Sequence, residues 1–213
     1  MNDSRIPTAV LAAGTGTNAQ AVIDAAARGE LPLDVRLVVS NDPNAGALDK
    51  ARRSGIPVDA IPFDRQSESR GEYATRLAAR LRDSGVRLVL LLGWMHVLAP
   101  EFLAAGFDGV LNLHPSYLPD DPSEDFVTLP NGTRTPCFRG PRALRDAIEA
   151  GVAVTGVTLI EITADVDRGP VLARTAFALQ PGEDEASALA RLHPVEHEVV
   201  KQGVLEWLAA RVR

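Results

Sequence analysis

The sequence predicts a doubly wound α/β fold: a mostly parallel sheet with helices on both faces, antiparallel strands at one edge, and an inserted β-hairpin. Three observations point to it. From Ile6 to Leu92, apolar strand patterns alternate with helical repeats, the arrangement of successive βαβ units. Val86 to Leu92 has no polar interruption beyond Arg87, as suits a central strand covered on both faces. After Gly151, two strand patterns follow one another through a short loop, so antiparallel pairing at a sheet edge is expected.

The elements follow in order. Ile6 to Ala13 reads as the first strand, and Gly14-Thr15-Gly16-Thr17-Asn18 turns the chain. A helix from Ala19 to Arg28 repeats apolar residues at Ala19, Val22, Ile23 and Ala26, and Gly29 stops it. Leu33 to Ser40 is a strand, Gly46 to Ser54 a short helix closed by Gly55, and Val58 to Ile61 a short strand. Ser69 to Asp83 is a longer helix with Tyr73, Leu77 and Leu81 on one face. Pro100 starts a short helix through Ala104, which leads to Gly109-Val110-Leu111-Asn112-Leu113-His114, a buried strand ended by Pro115.

Pro130-Asn131-Gly132, between Asp125–Leu129 and Thr133–Phe138, fits a type I turn with a glycine bulge and so predicts the hairpin. Pro136 would keep its second arm at an edge. Pro141 to Ala150 reads as a helix, then Val152 to Thr163 and Val171 to Leu179 as strands. Pro194 should break the last helix into Asp184 to His193 and Val195 to Val212.

The chain has 213 residues, enough for one domain with a substantial core, and its composition is that of a globular protein: 46% hydrophobic, 23% charged. We treat 1–213 as a single domain of two halves, 1–105 and 106–213, with an insertion at about 121–137. A net charge of −6 with no basic run argues against nucleic-acid partners. No apolar run reaches membrane-spanning length, and the polar start from Met1 to Pro7 lacks the apolar core of a signal peptide. Cys137 is alone, so no disulfide framework or cysteine-rich metal site is expected. The expected setting is the cytoplasm, as a monomer or homodimer acting on small molecules.

Two stretches can carry chemistry. A strand, a glycine turn and a helix can cradle a phosphate on the backbone N–H groups of Gly16, Thr17 and Asn18, although the same pattern suits a plain βα turn. Asn112 and His114 alternate along a strand and so share a side where the strand runs out. Together they could stabilise an oxyanion and move a proton; equally, they could be a capping amide and a packed imidazole. Trp94 and Met95 could line a flat ligand or plug the core.

Four motifs in this order, Gly14-x-Gly16-Thr17-Asn18, Gly93-x-Met95, Asn112-x-His114-Pro115-Ser116-x-Leu118-Pro119 and Asp167-x-Gly169-Pro170-Val171, resemble the folate-dependent formyltransferase superfamily. Within it, Gly-x-Gly-Thr-Asn resembles the branch that formylates glycinamide ribonucleotide in purine biosynthesis. The resemblance implies 10-formyltetrahydrofolate as co-substrate and no metal, with Asn112, His114 and Asp167 as the catalytic triad. It also implies that Gly16, Thr17 and Asn18 hold the 5′-phosphate and that Glu196 contacts the ribose hydroxyls. Leu91, Met95, His96, Val97 and Leu98, with Thr163 and Val166 of the later loop, would then wall the pterin. Asp167 beside His114 would favour a protonated imidazole.

The sequence departs from the family's pattern in three places. His96 stands where an arginine is common. His193 and Pro194 stand where Lys or Gln often reaches for the phosphate; His193 and His197 alone, without a third ligand, make a poor metal pair. The insertion could cover the folate side, form a subunit contact or be a plain surface hairpin. The competing functions are a formyltransferase for another amine, such as an amino-sugar nucleotide, and a non-catalytic phosphate- or folate-binding module.

Overall fold

The computed structural model describes residues 5–211. The polar start from Met1 lies mostly outside the described residues, as does Val212 at the expected end of the last helix. The chain folds into two compact units, Met1–Leu111 and Asn112–Arg213.

The first unit alternates β1 (Ile6–Leu11), α1 (Thr17–Ala27), β2 (Leu33–Ser40), α2 (Gly46–Arg53), β3 (Val58–Ala60), α3 (Arg70–Asp83), β4 (Leu88–Leu91) and the short α4 (Pro100–Leu103). β1 pairs in parallel with both β2 and β4, and β2 pairs in parallel with β3. All four residues of β4 are buried, the signature of a strand covered on both faces. Ser69 caps α3: its hydroxyl accepts from the Glu72 amide and the Glu72 carboxylate accepts from the Ser69 amide, satisfying two otherwise orphaned donors. Burial of Leu77 and Leu81 along α3 fixes which face turns inward.

β5 (Gly109–His114) carries the chain into the second unit, which holds β6 (Phe126–Thr128), β7 (Arg134–Pro136), α5 (Ala143–Glu149), β8 (Val154–Glu161), β9 (Val171–Ala178) and α6 (Glu185–Arg211). The strand order β3-β2-β1-β4-β5-β8-β9 makes a seven-stranded sheet, and β6-β7 a separate two-stranded one. β8 and β9 are antiparallel and β9 is the edge, as expected. The hairpin turn also follows its sequence: the Gly132 amide donates to Leu129 O at 2.8 Å, with Gly132 at φ 83°. Its Val127 and Leu129 pack with Tyr117, and Cys137 lies half-buried against that cluster. Burial pushes the Cys137 thiol up, away from thiolate chemistry.

Two helix expectations need correction. α5 begins at Ala143, so Pro141 precedes the helix instead of occupying its first turn. α6 is one continuous helix from Glu185 to Arg211 with Pro194 inside it. A proline removes one backbone bond, here the one to Ala190, and crowds that carbonyl. Burial on both sides of it outweighs this: Ala188 and Leu192 before, Val199, Val200, Val204 and Trp207 after, in a helix packed on β8 and β9.

Candidate active site

Asn112 and His114 do share a side of β5, and both meet one carboxylate. Asn112 Nδ2 donates to Asp167 Oδ1 at 3.3 Å, and His114 Nδ1 stands 3.5 Å from Asp167 Oδ2. His114 is 3% exposed, so this carboxylate and imidazole face each other largely out of water, where charge interactions are strengthened.

Asp167 reaches that position through a strained loop. Its φ of 53° makes it the one non-glycine residue at positive φ among the described residues. Asp tolerates the left-handed region better than most side chains, but surrounding structure must still hold it there. Behind it the loop folds back on the end of β8, where Glu161 N donates to Pro170 O at 3.0 Å. A Cβ on Gly169 would lie 1.6 Å from the Glu161 carbonyl oxygen, which accounts for the glycine in Asp-x-Gly-Pro. The Gly140 amide donates to Asp167 Oδ2 at 2.7 Å, and Arg139 Nε donates to the Asp167 carbonyl at 3.3 Å.

His114 is oriented by its other nitrogen. Nε2 donates to the Phe138 carbonyl at 2.7 Å. A backbone carbonyl only accepts, so Nε2 carries a proton and Nδ1 is the nitrogen turned towards Asp167. The loop after β5 is pinned around this pair. Phe138 N donates to the Ser116 hydroxyl at 3.2 Å, the Thr158 hydroxyl donates to Ser116 O at 2.7 Å, and Leu118 N donates to Thr158 Oγ1 at 3.0 Å. Sequence reasoning missed Phe138, Arg139 and Gly140. Two of them act through backbone atoms, which leave no side-chain signature; the glycine before Pro141, at φ 85°, was the only available hint.

In the first unit, Gly16 is the N-cap of α1, at φ 76°. A Cβ there would lie 2.4 Å from the Ala47 Cα, so the close approach of α1 to α2 requires glycine. No side chain caps α1 and its first turn carries no acid, so the positive end of the helix, beside Thr17 and Asn18, favours an anion. Leu91 is buried, Met95 and Val97 are 54% and 50% exposed, and His96 and Leu98 are half-buried. Asn41 Nδ2 donates to His96 Nε2 at 2.9 Å, and Phe63, Tyr73 and Trp94 surround that ring. Burial, with Arg65 and Arg70 nearby, pushes His96 below its usual 6.5, so it offers a neutral ring where an arginine would offer a charge.

In the second unit, Thr163 and Val166 are exposed, and the Thr163 hydroxyl is turned to the Asp165 carbonyl of its own loop. Glu196 is buried at 5% exposure with Oε2 2.9 Å from His193 Nδ1. His193 thus faces Glu196, and no group of three or more His, Cys, Asp or Glu among the described residues could hold a metal ion.

Against known proteins, residues 6–122 and 133–204 match the family described as formyl transferase. The chain belongs to the formyl transferase family. The phosphoribosylglycinamide formyltransferase of Escherichia coli is 30% identical over 200 residues, covering 94% of this chain and 85% of that protein. The trifunctional purine biosynthetic protein adenosine-3 of Homo sapiens is 31% identical over 191 residues, 90% of this chain; the chain spans 17% of that protein's length. Among solved structures, glycinamide ribonucleotide transformylase 1 from Symbiobacterium toebii superposes with a TM-score of 0.80 at 32% identity, covering 96% of this chain and 87% of that one. Phosphoribosylglycinamide formyltransferase from Bacillus halodurans gives 0.80 at 28% identity, covering 97% of each. The formyl transferase match omits residues 123–132, which lie inside the insertion.

Proposed function

We propose that this chain transfers the formyl group of 10-formyltetrahydrofolate to the amine of glycinamide ribonucleotide, a step of purine biosynthesis, in the cytoplasm. The observation that carries the reading is the Asp167 carboxylate, shared by Asn112 and His114 at 3.3 and 3.5 Å. That brings an amide donor for an oxyanion, a proton carrier and a base together around one carboxylate.

In this reading the amine nitrogen attacks the formyl carbon, a C–N bond forms and negative charge moves to the formyl oxygen. Asn112 has two amide hydrogens; one is spent on Asp167, and the other is free to donate to that oxygen. The attacking amine sheds a proton to the Asp167 carboxylate. Asp167 hands that proton to the facing His114 Nδ1; the bond from the formyl carbon to the folate nitrogen then breaks, and Nδ1, its ring fixed by the Phe138 contact, passes the proton to the departing nitrogen. The amine is itself nucleophilic when unprotonated, so no step calls for a metal.

Binding divides between other residues. The amides of Gly16, Thr17 and Asn18 hold the 5′-phosphate at the uncapped start of α1. Glu196, a buried carboxylate, accepts from the ribose hydroxyls. Leu91, Met95, His96, Val97 and Leu98, with Thr163 and Val166, contact the pterin; the exposed apolar side chains of Met95, Val97 and Val166 suit a surface that a flat ligand covers. The decisive experiment is formyl transfer by the purified protein, followed as loss of 10-formyltetrahydrofolate against glycinamide ribonucleotide. Turnover supports the assignment. Turnover only with another amine, such as an amino-sugar nucleotide, would overturn the acceptor, and no turnover with any amine would overturn the enzymatic reading.

A further inference from the structure

The residues outside the family match make contacts that end on the loop bearing Asp167. Asp125 Oδ1 accepts from Arg168 Nη2 at 2.8 Å and from Arg139 Nη1 at 3.0 Å. Each arginine has a second hold on the same stretch: Arg139 Nη2 donates to the Glu124 carbonyl at 2.7 Å, and Arg168 donates to the Pro122 carbonyl. Both arginines adjoin the site. Arg168 follows Asp167 in the chain. Arg139 lies between Phe138, whose carbonyl fixes His114, and Gly140, whose amide holds the Asp167 carboxylate.

We propose that Asp125 is a positioning residue for the reaction: its carboxylate ties the Phe138–Gly140 segment to the Asp167–Arg168 loop and so keeps Asp167 aligned with His114. The proposal rests on the formyl-transfer reading for its catalytic consequence, but not for the clamp itself. The strained backbone at Asp167 needs such a hold, because a side chain at positive φ relaxes unless its neighbours prevent it. The hairpin supplies the rigidity behind the clamp. Cys137 N donates to Asp125 O at 2.9 Å, which closes the base of the hairpin, and Val127 and Leu129 anchor its apolar side. Hydrogen bonding from Arg168, and then the charges of both arginines, hold the Asp125 carboxyl below the usual carboxylate range, so the clamp stays charged.

A plain surface hairpin would show ion pairs pointing anywhere; here both of the Asp125 pairs lead to residues touching or adjoining Asp167. With 68% of its side chain exposed, Asp125 contributes little to the core, so its replacement should leave the fold intact.

The test compares Asp125→Ala and Asp125→Glu with the parent protein. Two readouts are taken: hydrogen exchange at the Gly140 amide by NMR, and steady-state formyl transfer. In Asp125→Ala the Gly140 amide should exchange about three- to tenfold faster and kcat should fall by a similar factor, with both KM values within about twofold. Asp125→Glu should recover most of both. Gly140 exchange and kcat both unchanged within about twofold in Asp125→Ala would overturn the proposal, as would a kcat loss accompanied by an equal fall in thermal stability. If the parent protein transfers no formyl group, the functional reading fails, while the exchange measurement still decides whether Asp125 clamps the loop.

Discussion

His114 Nδ1 stands 3.5 Å from Asp167 Oδ2, the same oxygen that takes the Gly140 amide at 2.7 Å. One carboxylate therefore faces the imidazole while a backbone donor fixes its rotation. The pair is preorganised before any ligand arrives, which is what a site acting by electrostatic stabilisation requires.

Replacing Asp167 by Asn tests that arrangement with little change of shape. Asn adopts positive φ as readily as Asp, so the loop at φ 53° should survive. Its amide would lose the negative charge facing His114 and would turn a donor towards Asn112 or Gly140. Formyl-transfer kcat should fall by roughly 10²–10³ while ribonucleotide affinity, measured by titration calorimetry, changes little. Equal loss of affinity and rate would make Asp167 a structural residue.

Gly16→Ala should damage fold and ligand site together. The new Cβ would meet the Ala47 Cα at 2.4 Å, and φ is 76°. Backbone cannot step aside as a flexible side chain can. We expect a loss of about 2 kcal/mol or more, lowering Tm by roughly 4–8 °C, with phosphate affinity reduced as α1 shifts. A variant of unchanged Tm and affinity would remove the loop from the binding site.

Local patterns made most of the fold legible. The alternating elements, the antiparallel edge of β8 and β9 and the Pro130-Asn131-Gly132 turn each depend on a few neighbouring residues, and each formed as expected. The joining of Asn112, His114 and Asp167 spans 55 residues in sequence; periodicity could only put the first two on one side of a strand, and the family motif supplied the third. The interactions of Phe138 and Gly140 were invisible because they use main-chain atoms that any sequence provides. α6 was misread because local chemistry at Pro194 was weighed without the long apolar face that holds the helix together.

Acid should weaken the fold before ordinary carboxylates titrate. Burial, then Arg65 and Arg70, pushes His96 below 6.5. Burial also lowers His197, helped by His193 and Lys201 and opposed by Glu196 and Glu198. In both cases the unfolded chain binds the proton more readily. Their contribution is therefore present above the unfolded value and lost as pH falls towards the lower folded value. Melting followed by circular dichroism should show Tm dropping between about pH 7.5 and about pH 5.5. The drop should be smaller in His96→Gln. A flat profile in the parent protein would contradict the half-buried, neutral imidazole at position 96.

Pro194→Ala isolates the cost that α6 tolerates. Pro194 is exposed and lies in the interior of the 27-residue helix, so alanine removes no core contact while giving Ala190 O a backbone donor. An interior proline costs about 3 kcal/mol in a helix, and losing its stiffening of the unfolded chain gives back about 0.4–1 kcal/mol. The net gain is roughly 2 kcal/mol, which should raise Tm by about 4–8 °C in calorimetry. A lower Tm would mean instead that α6 has packed around the proline ring, and that the bend or water it admits is part of the native arrangement. Because Pro194 lies between His193 and Glu196, the same variant tests whether helix regularity sets the 2.9 Å contact between those two side chains. Ribonucleotide affinity should then shift with Tm if Glu196 binds the ribose, and stay constant if it does not.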